Sequence, residues 1–181
     1  PYTYFLSSGD HFQGTAISNL TKGTVVNKIL DEMNILASAI GNHEFDWGSD
    51  LIPQWAKDGK YVYLASNIEV DAAAKPEGWD DYVLPYIVQE QVVNGKTVKI
   101  GFIGIATPET KFKTSAAHVE GFTFTDPVAA TNKWSKHLLE VEGVDAIIAL
   151  THLGSFQKDG VISGEIVEYA NKVQGVDAIF T

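Results

Sequence analysis

The 181-residue chain has no cysteine, and that absence excludes disulfides, thiolate zinc sites and cysteine nucleophiles together. It does not fix the compartment. Positive charge is also scarce: 13 Lys and Arg stand against 23 Asp and Glu, for a formal net charge of -10. A sequence-independent grip on a nucleic-acid backbone is therefore not expected, and phosphate on a substrate must be neutralised by something other than Lys and Arg. No apolar run reaches the length of a membrane span, and no basic segment followed by an apolar one marks a signal peptide. What the chain does have is 45% hydrophobic and 11% aromatic residues, enough for one ordinary domain with a real core.

Periodicity supplies an alternating order of elements. Thr3 to Leu6 reads as a short buried strand released through small residues into Gly9-Asp10. Val26, Ile29, Leu30 and Met33 fall at helical spacing from Thr24 onward, and Ile35 to Ile40 form a second apolar run ending at Gly41. Leu51 to Lys57 reads as a helix, "YVYLASN" as a strand with Asn67 at its exit, and residues 71 to 82 as a loop. "LPYIVQEQVV" and "KTVKIGFIGIA" flank Asn94-Gly95, a pair that accepts the positive φ of a type I′ turn, so a hairpin is expected. "TDPVAATNKWSKHLLEV" predicts a capped amphipathic helix with Ala130, Trp134, Leu138 and Val141 on one face. A strand ending at Thr151-His152, a helix over "SGEIVEYANKV" and a strand over "VDAIFT" complete a layered α/β pattern.

Three apolar strands end in chemistry. Their exits carry Gly9-Asp10, Gly41-Asn42-His43 and Thr151-His152, and loops at the C-terminal edge of such a sheet share one rim. Carboxylate, amide oxygen and imidazole are together a ligand set for divalent cations such as zinc, manganese or iron. Gly9 and Gly41 either let the backbone approach a bound group or serve as plain turn residues.

The motifs "SGDHFQGTAISNLTKG", "AIGNHEFDWG", "YLASNIE", "GFIGIATPET" and "ALTHLG", in this order, resemble the metallophosphatase domain of the bacterial 5'-nucleotidase and 2',3'-cyclic-nucleotide phosphodiesterase family, a branch of the calcineurin-like phosphoesterases. The resemblance spans nearly the whole chain and is most specific over Gly41 to Asp46. It implies an α/β fold, a layered β-sandwich flanked by helices, and a metal-dependent phosphohydrolase acting on nucleotides through a metal-activated water. It also implies Asp10, Asn42 and His152 as metal ligands, with Asp10 bridging two divalent ions (Mn, Zn, Fe, Co or Mg). His43 and Asp46 would then be the catalytic pair, and Asn42 and His43 would face the phosphate. The carboxylate of Asp46 on His43 would favour an imidazolium able to stabilise transition-state charge or protonate the leaving oxygen. Glu44 has no assigned chemistry and reads as a structural hydrogen-bonding residue, His11 as a plain loop residue, and Phe45 and Trp47 as packing.

The family also has an Asp-x-His motif before the Gly-Asp motif, a Gly-His-x-His or Gln motif on a later strand, and a C-terminal domain that holds the nucleobase. None of these is in the sequence. Residues 1 to 181 are thus expected to form a partial metallophosphoesterase domain, with too few ligands to close two metal sites and little turnover alone. Its partners would be nucleotide or other phosphoester substrates, with no nucleic-acid polymer. Its location would be extracytoplasmic: secreted, cell-wall anchored or periplasmic. The rival readings are sulfur-ester hydrolysis on a related site and a metal-free binding or surface domain on the same scaffold.

Overall fold

A computed structural model describes residues 3–181. The first half of the chain runs β1 (Phe5–Ser7), α1 (Ala16–Thr21), α2 (Thr24–Glu32), β2 (Ile35–Ala39), α3 (Leu51–Gly59), β3 (Val62–Leu64), β4 (Ile68–Val70), α4 (Trp79–Tyr82) and β5 (Val83–Leu84). The second half runs β6 (Tyr86–Val93), β7 (Lys96–Ala106), α5 (Thr110–Lys113), β8 (Phe122–Phe124), α6 (Pro127–His137), β9 (Ala146–His152), β10 (Phe156–Lys158), β11 (Val161–Ser163), α7 (Glu165–Lys172) and β12 (Ala178–Phe180).

Two four-stranded sheets form the centre. One has the order β1-β2-β3-β5 with every pair parallel; the other has the order β12-β9-β7-β6, parallel except for the β6–β7 hairpin. Strand alternation in the second sheet builds two cores at once. Phe102 on β7 and Leu150 on β9 face the first sheet, where they meet Ala37, Ala39 and Leu64. Their neighbours Ile103, Ile105, Ile147 and Ala149 face the other way, onto Leu138, Ile166 and Tyr169. A third cluster packs Ile52 and Trp55 of α3 against Phe12, Ile40, Phe45 and Tyr63. The layers are therefore helix, sheet, sheet, helix, the layered sandwich expected from the sequence. Full burial of each large apolar side chain contributes about 1.5–3 kcal/mol.

The sheets approach closely where Gly104 of one meets Leu64 of the other. A Cβ on Gly104 of β7 would overlap the Leu64 carbonyl of β3, and Ser66 N–H donates to the Gly104 carbonyl at 2.8 Å. Asn67 reinforces this seam. Fully buried at 0% exposure, it accepts from Ala106 N–H at 2.9 Å and donates to the carbonyls of Ala106 (2.8 Å) and Thr125 (3.1 Å). The polar residue at the exit of β3 is thus a staple of the fold.

The structure departs from the sequence reading in local ways. β1 covers Phe5–Ser7 rather than Thr3 to Leu6. The stretch 71 to 82 is not all loop: Trp79–Tyr82 form α4, because the Trp79 ring buries against Phe122 and closes a short helical turn. The capped helix does begin at Pro127, with Asp126 accepting from Ala129 N–H at 2.6 Å, but Leu138–Glu142 widens into a π-turn. That change of period buries Leu138 and turns Val141 out to solvent, so the expected face breaks after Leu138. At the hairpin tip Asn94 and Gly95 have φ of 51° and 77°, the positive pair a type I′ turn needs. Among the described residues, no helix is long and apolar enough to cross a membrane.

Candidate active site

The three strand exits converge although they come from two sheets. The loop after β1 carries Asp10, the turn after β2 carries Asn42 to Asp46, and β9 of the other sheet ends at His152. His152 Nε2 lies 3.0 Å from Asp10 Oδ2, and Asp10 Oδ1 accepts from the His43 N–H at 2.9 Å. Asp10, His43 and His152 are therefore joined through one carboxylate. Asn42, 7% exposed, stands immediately before His43 on the same turn.

The turn itself explains how five consecutive positions divide their work. His43–Phe45 is a single 3₁₀ turn, in which side chains three residues apart eclipse. That places His43 and Asp46 side by side, and His43 Nδ1 lies 2.7 Å from Asp46 Oδ2. The intervening Glu44 and Phe45 point inward, both at 0% exposure. Phe45 packs edge-on against Phe122 and Phe124.

Glu44 is the structural hydrogen-bonding residue anticipated from sequence, and its reach is larger than that reading conveyed. Its carboxylate accepts from three backbone N–H groups: Asp10 (2.9 Å), His11 (2.9 Å) and Gly41 (2.7 Å). Gly9 and Asp10 have φ of 95° and 60°, which turns successive N–H groups toward one point and forms a small anion-binding concavity. The anion is the protein's own Glu44. Gly9 is needed because a Cβ there would sit 2.6 Å from the Gly41 nitrogen, so the two loops touch backbone to backbone.

His11 is not a plain loop residue. Its Nε2 lies 2.7 Å from Ser7 Oγ and 2.8 Å from Ser38 Oγ, and its ring packs beside Phe12, Tyr61 and Tyr63. Burial pulls its pKa down in spite of the nearby charges of Glu44 and Asp10, as suits a neutral ring between hydroxyls. His137 on α6 bonds to the Tyr86 hydroxyl, 3.1 Å away.

The electrostatics of Asp10 and His152 follow from their pairing. Burial alone would push the Asp10 carboxyl up, but the His152 hydrogen bond, the His43 N–H and the two histidine charges outweigh it and hold it below its ordinary value. Burial likewise pulls His152 down, and the Asp10 hydrogen bond and charge with the Ser8 carbonyl reverse it to a raised value. His152 Nδ1 faces the Ser8 carbonyl at 2.9 Å and Nε2 faces Asp10, two partners that accept, so both ring nitrogens carry protons.

This donor set fits a divalent cation. With Nδ1–H anchored on the Ser8 carbonyl, the orientation is that of a ligating histidine, and a cation would take the place of the Nε2 proton beside Asp10. The carboxylate, imidazole and Asn42 amide are the right chemical types. Among the described residues, no cluster of three or more His, Cys, Asp or Glu side chains surrounds a single point.

The family model for calcineurin-like phosphoesterases matches residues 1–181. The chain belongs to this family. Among curated relatives, a snake venom 5'-nucleotidase from Gloydius brevicauda is 31% identical over 179 residues, covering 98% of this chain and 28% of the relative. A 2',3'-cyclic-nucleotide 2'-phosphodiesterase/3'-nucleotidase from Salmonella typhimurium is 29% identical over 188 residues, covering 96% of this chain and 28% of the relative. The solved structure of a 5'-nucleotidase precursor from Thermus thermophilus superposes with a TM-score of 0.77 at 31% identity, covering 97% of this chain and 31% of that one. The calcineurin-like chain thus spans under a third of the length of each of these proteins.

Sequence reasoning missed two neighbours of the His43-Asp46 pair. Gln13 Nε2 donates to Asp46 Oδ2 at 2.7 Å, and Thr114 Oγ1 donates to Asp46 Oδ1 at 3.2 Å. No periodicity or ligand chemistry marks either residue in the sequence.

Proposed function

We propose that the whole protein hydrolyses phosphoesters of nucleotides, as a 5'-nucleotidase or a 2',3'-cyclic-nucleotide phosphodiesterase, in an extracytoplasmic location. The observation that carries this reading is the junction of Asp10, His152 and the His43-Asp46 pair at one rim. The activities of the relatives support the substrate class, and the venom relative supports the location. Asp10, Asn42 and His152 would hold divalent metal, with further ligands and the nucleobase site contributed by other parts of the whole protein. Bound there, two such cations supply the positive field that an acidic chain lacks and lower the pKa of water.

The chain's own residues do the rest. Asp46 accepts the Nδ1 proton of His43, which leaves Nε2 of a side chain 38% exposed free to meet a phosphoryl oxygen. In the protonated ring, Nε2–H stabilises charge developing on phosphorus and can be passed to the leaving oxygen. Asn42 directs its amide to the same phosphate. Glu44 keeps Asp10 and Gly41 in register, so the donors are in place before substrate arrives.

The test is hydrolysis of adenosine 5'-monophosphate and 2',3'-cyclic adenosine monophosphate by the full-length protein with manganese or zinc, wild type against His43→Ala. The expected result is a kcat lower by about 10²–10⁴-fold in the variant. Equal rates would refute the role given to His43.

A further inference from the structure

We infer that Thr114 and Gln13 are positioning residues that brace the Asp46 carboxylate from two sides and thereby fix the His43 imidazole. The inference rests on the phosphohydrolase reading above and extends it to residues that reading leaves without a role.

Asp46 has two carboxylate oxygens, and each is occupied. Oδ2 accepts from His43 Nδ1 and from Gln13 Nε2, both at 2.7 Å, while Oδ1 accepts from Thr114 Oγ1 at 3.2 Å. A terminal carboxylate torsion is broad, so an Asp46 held by His43 alone would swing toward water. Two further donors set at different angles remove that freedom. Because the carboxylate only accepts, the His43 Nδ1 that faces it carries a proton in either charge state of the ring, which turns Nε2 outward.

Both braces are themselves held. The Gln13 amide is locked at its other end, where Oε1 accepts from Gly14 N–H at 3.0 Å, and this fixes Nε2 toward Asp46. Thr114 comes from the other sheet, in the segment that leaves β7. That segment is stiffened by Thr107 Oγ1 donating to the Glu165 carboxylate (2.9 and 3.0 Å), by Thr110 Oγ1 donating to the Thr107 carbonyl (2.7 Å), and by Thr114 N–H donating to the Thr110 carbonyl (3.2 Å). Asp46 is therefore clamped between the loop after β1 and the loop after β7, so the second sheet helps to orient a histidine carried by the first.

The experiment uses the full-length protein labelled with ¹⁵N-histidine, as wild type, Thr114→Val, Thr114→Ser and Gln13→Leu, with His43→Ala as control. Long-range proton-nitrogen spectra report which ring nitrogen of His43 carries the proton, and hydrolysis of para-nitrophenyl phosphate with manganese reports turnover. In Thr114→Val and Gln13→Leu the Nδ1–H signature of His43 weakens toward a mixture of tautomers. In Thr114→Val kcat falls about tenfold, the order of one hydrogen bond to a charged group, with KM within about twofold. Thr114→Ser, which keeps the hydroxyl, restores both readouts. An unchanged His43 ring signature in folded Thr114→Val overturns the brace. No hydrolysis by the wild-type protein sinks the phosphohydrolase reading instead, and the spectra, which need no turnover, still decide the brace.

Discussion

Replacing Glu44 by Gln changes one atom in a side chain with 0% exposure, and the structure sets the cost. The native carboxylate accepts from Asp10 and Gly41 through Oε2 and from His11 through Oε1. A glutamine has one acceptor oxygen. It can keep the Oε2 pair, but its amide nitrogen then faces the His11 N–H, donor against donor. At the least one backbone donor loses its partner, at about 1–3 kcal/mol, and the two retained bonds lose the charge that makes such bonds worth roughly 1.5–3 kcal/mol. The expected loss is about 2–5 kcal/mol, a large share of a typical domain's stability of about 5–15 kcal/mol. Equilibrium urea unfolding followed by tryptophan fluorescence measures it directly, because Trp47 and Trp55 pack 6.1 Å apart beside this turn. The midpoint should fall with the slope unchanged, since the surface exposed on unfolding is the same. Glu44→Asp should also fail, its shorter side chain being unable to span the three donors. A Glu44→Gln protein within about 0.5 kcal/mol of wild type would refute the clamp, because a change that small is what an ordinary surface position gives.

Two further perturbations bear on separate links of the same structure. Asn67→Leu removes the staple between the sheet edges and leaves the Ala106 N–H and two carbonyls without their partner; unfolding should be easier by about 2–4 kcal/mol, read by the same urea titration. Gly41→Ala would set a Cβ 2.8 Å from the Asp10 carboxylate carbon and so push that side chain off its partners. Calorimetric titration of the full-length protein with manganese should then show binding weaker by at least about tenfold, and unaltered binding would mean that Asp10 is not a ligand.

Much of the fold could be read from sequence because its strongest signals are local. The turn at Asn94-Gly95, the cap at Asp126 with Pro127, and the strand over Ala146–His152 each follow from a few adjacent residues. What stayed hidden depends on partners far along the chain. The helix at Trp79–Tyr82 exists because Trp79 meets Phe122, and the exposure of Val141 follows from a π-turn that no hydrophobic period encodes. The sequence reading brought Asp10, Asn42, His43, Asp46 and His152 to one rim, and their strand-end positions made that possible. It treated Asn67 as another polar strand-end residue and His11 as a loop residue, although both are held inside the structure. A residue type at a strand exit cannot say whether its side chain turns outward or back into the seam.

The hexapeptide from Gly41 to Asp46 shows why motif and mechanism are not coextensive. Its members at the rim, Asn42, His43 and Asp46, have the reactive types that a sequence reader weighs. Glu44 carries an equally reactive type but faces inward, because a 3₁₀ turn that eclipses His43 with Asp46 must direct the position between them elsewhere. Once inside, a carboxylate needs donors, and the N–H groups of Asp10 and His11 are turned toward it by the positive φ of Gly9 and Asp10. That conformation costs strain in a residue other than glycine, and the Glu44 bonds to the Asp10 and His11 N–H groups stabilise it. Asp10's backbone is therefore set by Glu44 at the same time as its side chain is joined to His152 and His43, so the residue expected to bridge metals is positioned from both ends. The buried carboxylate thus ties the loop after β1 to the turn after β2, and Asp10 stands at the rim on a backbone that a third acid holds from below.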